Sequence, residues 1–287
     1  MTQKERRLYL IHALQDEMPQ YKKLAVPSDE AGQQQFLRAL FNVRPPYPAS
    51  DAFLKVQDEY LSELIRQRGI VDAAELPAVK KNPRITLWQG DITRLRCDAI
   101  VNAANSALLG CWQPGHSCID NIIHTLSGVQ LRIKCSEIMK AQGHEEETGQ
   151  AKITPAYNLP CRYVLHTVGP IIMGPLQESD CCLLAGCYRS CLELAAANGV
   201  RSIAFCCIST GVFRFPQREA ARIAVETVMD FLNRDTRICW NERPLCPAGK
   251  AYLRIHHQSN AVCPGIPVFA KLAEVPGTPV FVELTGA

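Results

Sequence analysis

The chain has 287 residues, a formal net charge of +3 and an apolar share of 47%. So small a charge excludes a bulk nucleic-acid binder, and that apolar share allows a sizeable soluble core. No run of about 18 apolar residues occurs, so no membrane span is expected.

Residues 1–80 read as a helical extension. The charged start, residues 1–7, lacks the apolar run of a signal peptide, so a cytoplasmic location is the expectation. Leu8, Leu10, Ile11 and Leu14 recur at helical spacing until Pro19. Ser28 is expected to cap a second helix with Phe36, Leu37, Leu40 and Phe41 on its apolar face. Pro45, Pro46 and Pro48 stop it. Ser50 caps a third helix bearing Phe53, Leu54, Tyr60, Leu61, Leu64 and Ile65, and Gly69 ends it. No catalytic cluster occurs here; the helices are expected to form a layer on the main domain, bordering its cleft. Residues 75–83 read as the link.

Residues 81–237 alternate strand and helix patterns, the mark of an α/β sandwich on a mostly parallel or mixed sheet. Strands are expected at 84–88, 99–101, 162–168 and 202–208, and helices at 118–126, 129–142, 180–198 and 216–232. Many of the 14 cysteines lie among apolar neighbours, as at Cys181-Cys182-Leu183-Leu184 and Phe205-Cys206-Cys207-Ile208. They read as free thiols acting as small buried hydrophobes, except Cys111 and Cys118.

Three features stand where strands end, the place at which such sheets bind ligands. Gly90-Asp91-Ile92-Thr93 offers a carboxylate that could hold a nucleobase amino group, or simply cap the next turn. Ser209-Thr210-Gly211-Val212-Phe213 lies between an apolar strand and a helix; it could hold a diphosphate on its N–H groups, or be only a turn. Cys111, His116 and Cys118 put two soft sulfurs and an imidazole within eight residues, a set suited to zinc, unless the spacing is chance in a cysteine-rich chain. His124 is a candidate fourth ligand or a packing residue. Asp120 and Asn121, at a helix start, can bond an anion or orient water.

Taken together these residues resemble the macrodomain family of ADP-ribose-binding modules and hydrolases. Four stretches match in order: Gly90-Asp91-Ile92-Thr93; Asp98-Ala99-Ile100-Val101-Asn102-Ala103-Ala104-Asn105-Ser106; Ala151-Lys152-Ile153-Thr154-Pro155 with His166-Thr167-Val168-Gly169-Pro170; and Ile208-Ser209-Thr210-Gly211-Val212-Phe213. Where ordinary members carry a glycine run, this chain has Cys111 to Cys118, which resembles the zinc-dependent subfamily with its helical N-terminal extension. The resemblance implies a three-layer α/β/α macrodomain sandwich with a mixed sheet, preceded by that extension. It implies Zn2+ on Cys111, His116 and Cys118.

Carried over by position, Asp91 would hold the adenine, with Ile92 beside it. Asn102 and Asn105 would lie near the distal ribose. Ile119, Asp120 and Asn121 would line the diphosphate and ribose side. Ser209, Thr210, Gly211, Val212 and Phe213 would wrap the diphosphate. The implied activity is hydrolysis of ADP-ribose from a protein carboxylate, with Asn105 and Asp120 as candidate catalytic groups. The implied partners are an ADP-ribosylated protein, such as a lipoyl carrier, and a sirtuin-type ADP-ribosyltransferase. A reader module that binds ADP-ribose without cleaving it is the alternative.

After about Arg237 the family pattern fails. Residues 238–287 read as an atypical, poorly ordered tail in which residues 280–284 could form a strand, and the adenine pocket could be incomplete. His256 and His257, with Cys246 or Cys263, are spaced too loosely to suggest a second metal site.

Overall fold

The computed structural model describes residues 1–80 and 82–233, and the backbone of residues 280–283. The extension is three helices, α1 (Gln3–Glu17), α2 (Glu30–Val43) and α3 (Asp51–Arg68). Thr2 and Glu5 close a capping box on α1. The cap of α2 is Asp29, not Ser28. Its carboxylate accepts from the Gly32 N–H at 2.8 Å and adds a negative charge at the positive helix end. Ser50 caps α3, and Gly69 ends it at φ +80°, a conformation that suits glycine.

Leu10, Ile11, Leu14, Leu37, Leu40, Phe53 and Leu61 form the core of this layer, and Val129 from the main domain belongs to the same cluster. Arg44 is buried and grips Glu17 through two bonds, at 2.6 and 2.7 Å. The stretch read as a link is stitched to the domain. Just before it, β1 (Val71–Asp72) pairs in parallel with β4 (Leu95–Arg96), and within it β2 (Ala78–Val79) pairs antiparallel with β3 (Asn82–Leu87).

The main sheet has seven strands in the order β2-β3-β9-β8-β5-β7-β6. Its remaining members are β5 (Ala99–Ala104), β6 (Ala151–Pro155), β7 (Tyr163–Val168), β8 (Ser202–Phe205) and β9 (Val280–Glu283). Strands β8, β5 and β7 run parallel, whereas β6 and β9 are antiparallel to their neighbours. Helices α4 (Ile119–Ser127) and α5 (Val129–Gln142) cover one face; α6 (Glu178–Ala197) and α7 (Gln217–Asn233) cover the other. This is the three-layer sandwich with a mixed sheet, and the extension stacks outside α4.

Side chains alternate across the pleat. Ile100, Ala104, Val164 and Val168 face α4 and α5, while Val101, Leu165, Ile203 and Phe205 face α6 and α7. The expected strand at 202–208 stops at Phe205. Ile208 is fully buried outside any strand, because apolar continuity reports burial and not pairing. Cys135, Cys161, Cys187 and Cys191 are buried free thiols, and burial pushes Cys161 up to about 12 and Cys187 to about 11. Cys182 and Leu183 are exposed, contrary to the expectation, because the phase of α6 turns them to solvent.

The tail contributes β9, which fills the slot between β3 and β8 with Val282 opposite both Ile85 and Ile203. The other expectations for residues 238–287, including poor order and the loose His256 and His257 set, lie outside the described residues.

Candidate active site

Strand β9 is antiparallel to both β3 and β8, so β3 runs in the same sense as β8, β5 and β7. The carboxyl ends of these four strands share one edge. Asp91 follows β3, Asn105 follows β5 and Ser209 follows β8, which gathers residues distant in sequence along one cleft.

The loop after β5 carries Cys111, His116 and Cys118, each half-buried, with their ligand atoms within 4.8 Å of one another. The Cys111 Sγ to His116 Nδ1 distance is 3.5 Å. Zinc bonds of about 2.3 Å to sulfur and about 2.05 Å to nitrogen, at a tetrahedral angle, require about 3.6 Å between those atoms. The donor set and its spacing therefore fit zinc. Among the described residues no fourth Cys, His, Asp or Glu joins the set. Burial pushes the Cys118 thiol up to about 11, and Cys111 beside it adds to this. A coordinated metal would expel that proton.

Cys118 is the N-cap of α4, so the loop delivers directly into the helix start. Asp120 in the first turn is 5% exposed. Its Oδ1 accepts from Asn102 Nδ2 at 2.8 Å and its Oδ2 from Asn105 Nδ2 at 3.2 Å. Burial raises the Asp120 carboxyl to about 6, while the Asn102 bond and the Arg132 charge oppose the rise. Asn105 also donates to the Gly110 carbonyl at 3.0 Å, which ties the cysteine loop to β5. Gly110 has φ +78°, and a Cβ there would meet the His124 ring at 2.7 Å.

Beneath Asp120 the pleat supplies further support. Asn102 lies opposite His166 in the β5–β7 register, and both are fully buried. Asn102 Nδ2 and His166 Nδ1 are 3.2 Å apart, and Thr154 Oγ1 is 2.9 Å from His166 Nε2. His124, Cys135 and His166 also bring ligand atoms within 4.8 Å of one another. Both His166 nitrogens already have partners, whereas neither buried His124 nitrogen has a hydrogen-bond partner among the described residues. His124 lies with His166 and Cys135 and not with the Cys111, His116 and Cys118 set. Burial holds His166 down to about 4 and His124 well below the usual histidine value.

The loop after β8 is strained where it turns. Ser209 has φ +63°, and its buried Oγ has no hydrogen-bond partner among the described residues. Thr210 N–H reaches the Cys207 carbonyl at 3.5 Å, but the N–H groups of Gly211, Val212 and Phe213 meet no acceptor among the described residues. Three successive N–H groups without an internal acceptor are chemically able to donate to an anion. The Phe213 carbonyl is anchored by the Ile172 N–H at 2.9 Å.

At the other end Asp91 is the cap considered for it. Its Oδ1 caps the next turn, accepting from Thr93 N–H at 3.0 Å and Thr93 Oγ1 at 2.6 Å. Its Oδ2 faces Arg68 of α3. Ile92 is 3% exposed and packs into the core beside α4, and Ile119 is half-buried against the same core. Asn102 and Asn121 are fully buried, so they act on the cleft through the groups they hold.

Four side chains that sequence reasoning passed over are tied to these parts: Arg38 and Asn42 on α2, Arg68 on α3 and Arg132 on α5. Arg132 bonds the Leu109 carbonyl at 2.6 Å and lies 4.3 Å over the Trp112 ring, so it pins the cysteine loop from behind. No spacing rule points to a single arginine on an amphipathic helix. The parity of His166 in β7 was a usable signal, because it puts an imidazole on a buried face.

The Macro domain family matches residues 101–224. A protein of Treponema medium named protein-ADP-ribose hydrolase is 62% identical over 233 residues, 80% of this chain and 89% of that protein. One of Staphylococcus aureus with the same name is 51% identical over 232 residues, 80% of this chain and 86% of that protein. A solved Trypanosoma brucei macrodomain in complex with ADP-ribose is 33% identical with a TM-score of 0.52, covering 68% of this chain and 83% of that one.

Proposed function

This chain belongs to the macrodomain family and is a protein-ADP-ribose hydrolase, and we propose that it uses zinc to cleave ADP-ribose from carboxylate side chains. One observation carries the zinc reading: the ligand atoms of Cys111, His116 and Cys118 converge to within 4.8 Å of one another on the loop that runs into Asp120. Bound there, zinc would polarise a substrate oxygen or lower the pKa of a water.

The chain's own groups divide the remaining work. Asp91 Oδ2 accepts from the adenine amino group. The Gly211, Val212 and Phe213 N–H groups hold the diphosphate, so remote binding energy positions the reacting end. Asn105 and Asp120 sit between the cysteine loop and β5, where they orient the distal ribose or the attacking water. The raised Asp120 carboxyl is poised to exchange a proton near neutral pH. The substrate is an ADP-ribosylated protein. A lipoyl carrier modified by a sirtuin-type transferase is the class the sequence resemblance favours. No helix among the described residues is long and apolar enough to cross a membrane, and a cytoplasmic location is part of the proposal.

The test is to replace Cys118 with Ala and assay ADP-ribose release from a modified carrier protein, beside calorimetry with free ADP-ribose. Loss of turnover with retained binding supports the proposal. Undiminished turnover in a folded, zinc-free variant would sink the metal role. Binding without turnover in the zinc-loaded native protein would make it a reader.

A further inference from the structure

The metal loop is exposed along Trp112, Gln113, Pro114 and Gly115, and within itself it has one turn bond, from the His116 N–H to the Gln113 carbonyl at 3.2 Å. It has no apolar core of its own to fix its shape. Its backbone is held from outside, in part by one helix of the N-terminal layer and in part by α4. Asn42 Oδ1 accepts from the Gly115 N–H at 2.9 Å, and Asn42 Nδ2 donates to Thr125 Oγ1 at 2.9 Å. Arg38 donates to the His116 carbonyl at 2.6 Å and, from two nitrogens, to Asn121 Oδ1 at 2.9 and 3.3 Å. Asn121 Nδ2 returns to the loop, donating to the Gln113 carbonyl at 3.0 Å and the Cys111 carbonyl at 3.4 Å.

Two residues one helical turn apart on α2 therefore hold Gly115 and His116, inside the stretch that joins the first sulfur ligand to the imidazole ligand. Gly115 has φ +67°, so the loop turns sharply where Asn42 grips it. Among the described residues no carboxylate pairs with Arg38.

We propose that Arg38 and Asn42 are positioning residues for the metal loop, so that α2 of the N-terminal layer sets the affinity of the macrodomain for its metal. The proposal rests on the zinc reading of Cys111, His116 and Cys118. It makes the extension part of the metal site and not a separate packing layer. Asn42 is the more specific of the two, because its two ends hold different elements. Its carbonyl oxygen serves the loop and its amide nitrogen serves α4.

The experiment is a zinc titration of the full chain against a chromophoric chelator, with the melting temperature of each metal-free variant recorded beside it. Arg38→Ala and Asn42→Ala are expected to weaken zinc binding about 10- to 100-fold, the range seen when outer-shell partners of a metal site are removed. Asn42→Asp keeps an acceptor for the Gly115 N–H and loses the bond to Thr125, so it should recover most of the affinity. Arg38→Lys should recover part of it, since one ammonium cannot hold both acceptors in the same fork.

A second readout needs no zinc and tolerates modest destabilisation. In the metal-free protein, alkylation of Cys111 and Cys118, read by peptide mass spectrometry, should run faster in both Ala variants than in the native chain. Native zinc affinity in both Ala variants, or an unchanged alkylation rate, overturns the proposal. Equal loss in Asn42→Ala and Asn42→Asp overturns it for Asn42, because the loop bond would then not be what matters. A native chain that takes up no zinc overturns the zinc reading itself, and this inference with it.

Discussion

Arg68 places its guanidinium 2.5 Å from Asp91 Oδ2, the one carboxylate oxygen that Thr93 leaves free. A purine amino group that bonds Asp91 must share or displace that arginine. Arg68→Ala is therefore expected to tighten ADP-ribose binding about two- to fivefold, since so exposed an ion pair is worth at most about 1 kcal/mol. Calorimetry measures it. Weaker binding would show instead that Arg68 lies against the ligand.

Asp120 joins β5 to the metal loop through Asn102 and Asn105. Asp120→Ala would leave the buried Asn102 amide and the half-buried Asn105 amide without this acceptor. Stability should fall by about 2 kcal/mol and turnover by about 100-fold. Denaturant unfolding and a release assay check the two effects separately. Native turnover in the variant would remove Asp120 from the chemistry.

Gly169 follows β7 and lies against Ser209, and a Cβ there would collide with the Ser209 Oγ. Gly169→Ala is expected to displace the loop after β8 and weaken ADP-ribose about tenfold or more, which is about 1.4 kcal/mol. Zinc uptake should stay native, because the cysteine loop follows a different strand. If both change together, the two ends of the cleft are not independent.

The buried histidines give the metal-free protein an acid weakness. His166 falls to about 4 and His124 also falls, both by burial, against 6.5 for the unfolded chain. Below pH 6.5 the unfolded chain takes up protons that these native rings refuse, so stability drops as pH falls from 6.5 towards 4. Each ring contributes up to about 1.4 kcal/mol per pH unit. Asp120 acts with the opposite sign. Its raised value, about 6 against 3.8, lets the native state gain a proton below pH 6, so it offsets about one histidine. Urea unfolding from pH 7 to 4.5 should show a net loss that starts near pH 6.5. A flat profile would count against it.

Local features were legible in the sequence wherever a short-range rule applied. Ser50 and Gly69 bracket α3, and Gly128 and Gly143 bracket α5, because caps act within one turn. The four stretches were legible as a combination, since they occur in one order and each lies on a strand or at its end. Neighbouring choices were harder. Asp29 and Ser28 are both good caps, and only the backbone selects between them. The role of Asn102 depended on its β7 partner, and register is a long-range property that no single strand carries. The grip of Arg38 and Asn42 spans more than seventy residues and leaves no periodic trace. The place of β9 in the sheet was invisible for the same reason, although its alternation was not.

The position of β9 has a consequence for how the chain is made. Strand β3 carries Asp91, strand β8 carries Ser209, and β9 lies between them and bonds to both. It follows every other described element in order of synthesis. On the ribosome the helical layer and the β5–β7 pair can collapse early, but β3 and β8 then face each other across an unfilled slot with two bare edges. Such edges recruit other strands, so the nascent chain is at its most prone to self-association just before it becomes able to bind a nucleotide.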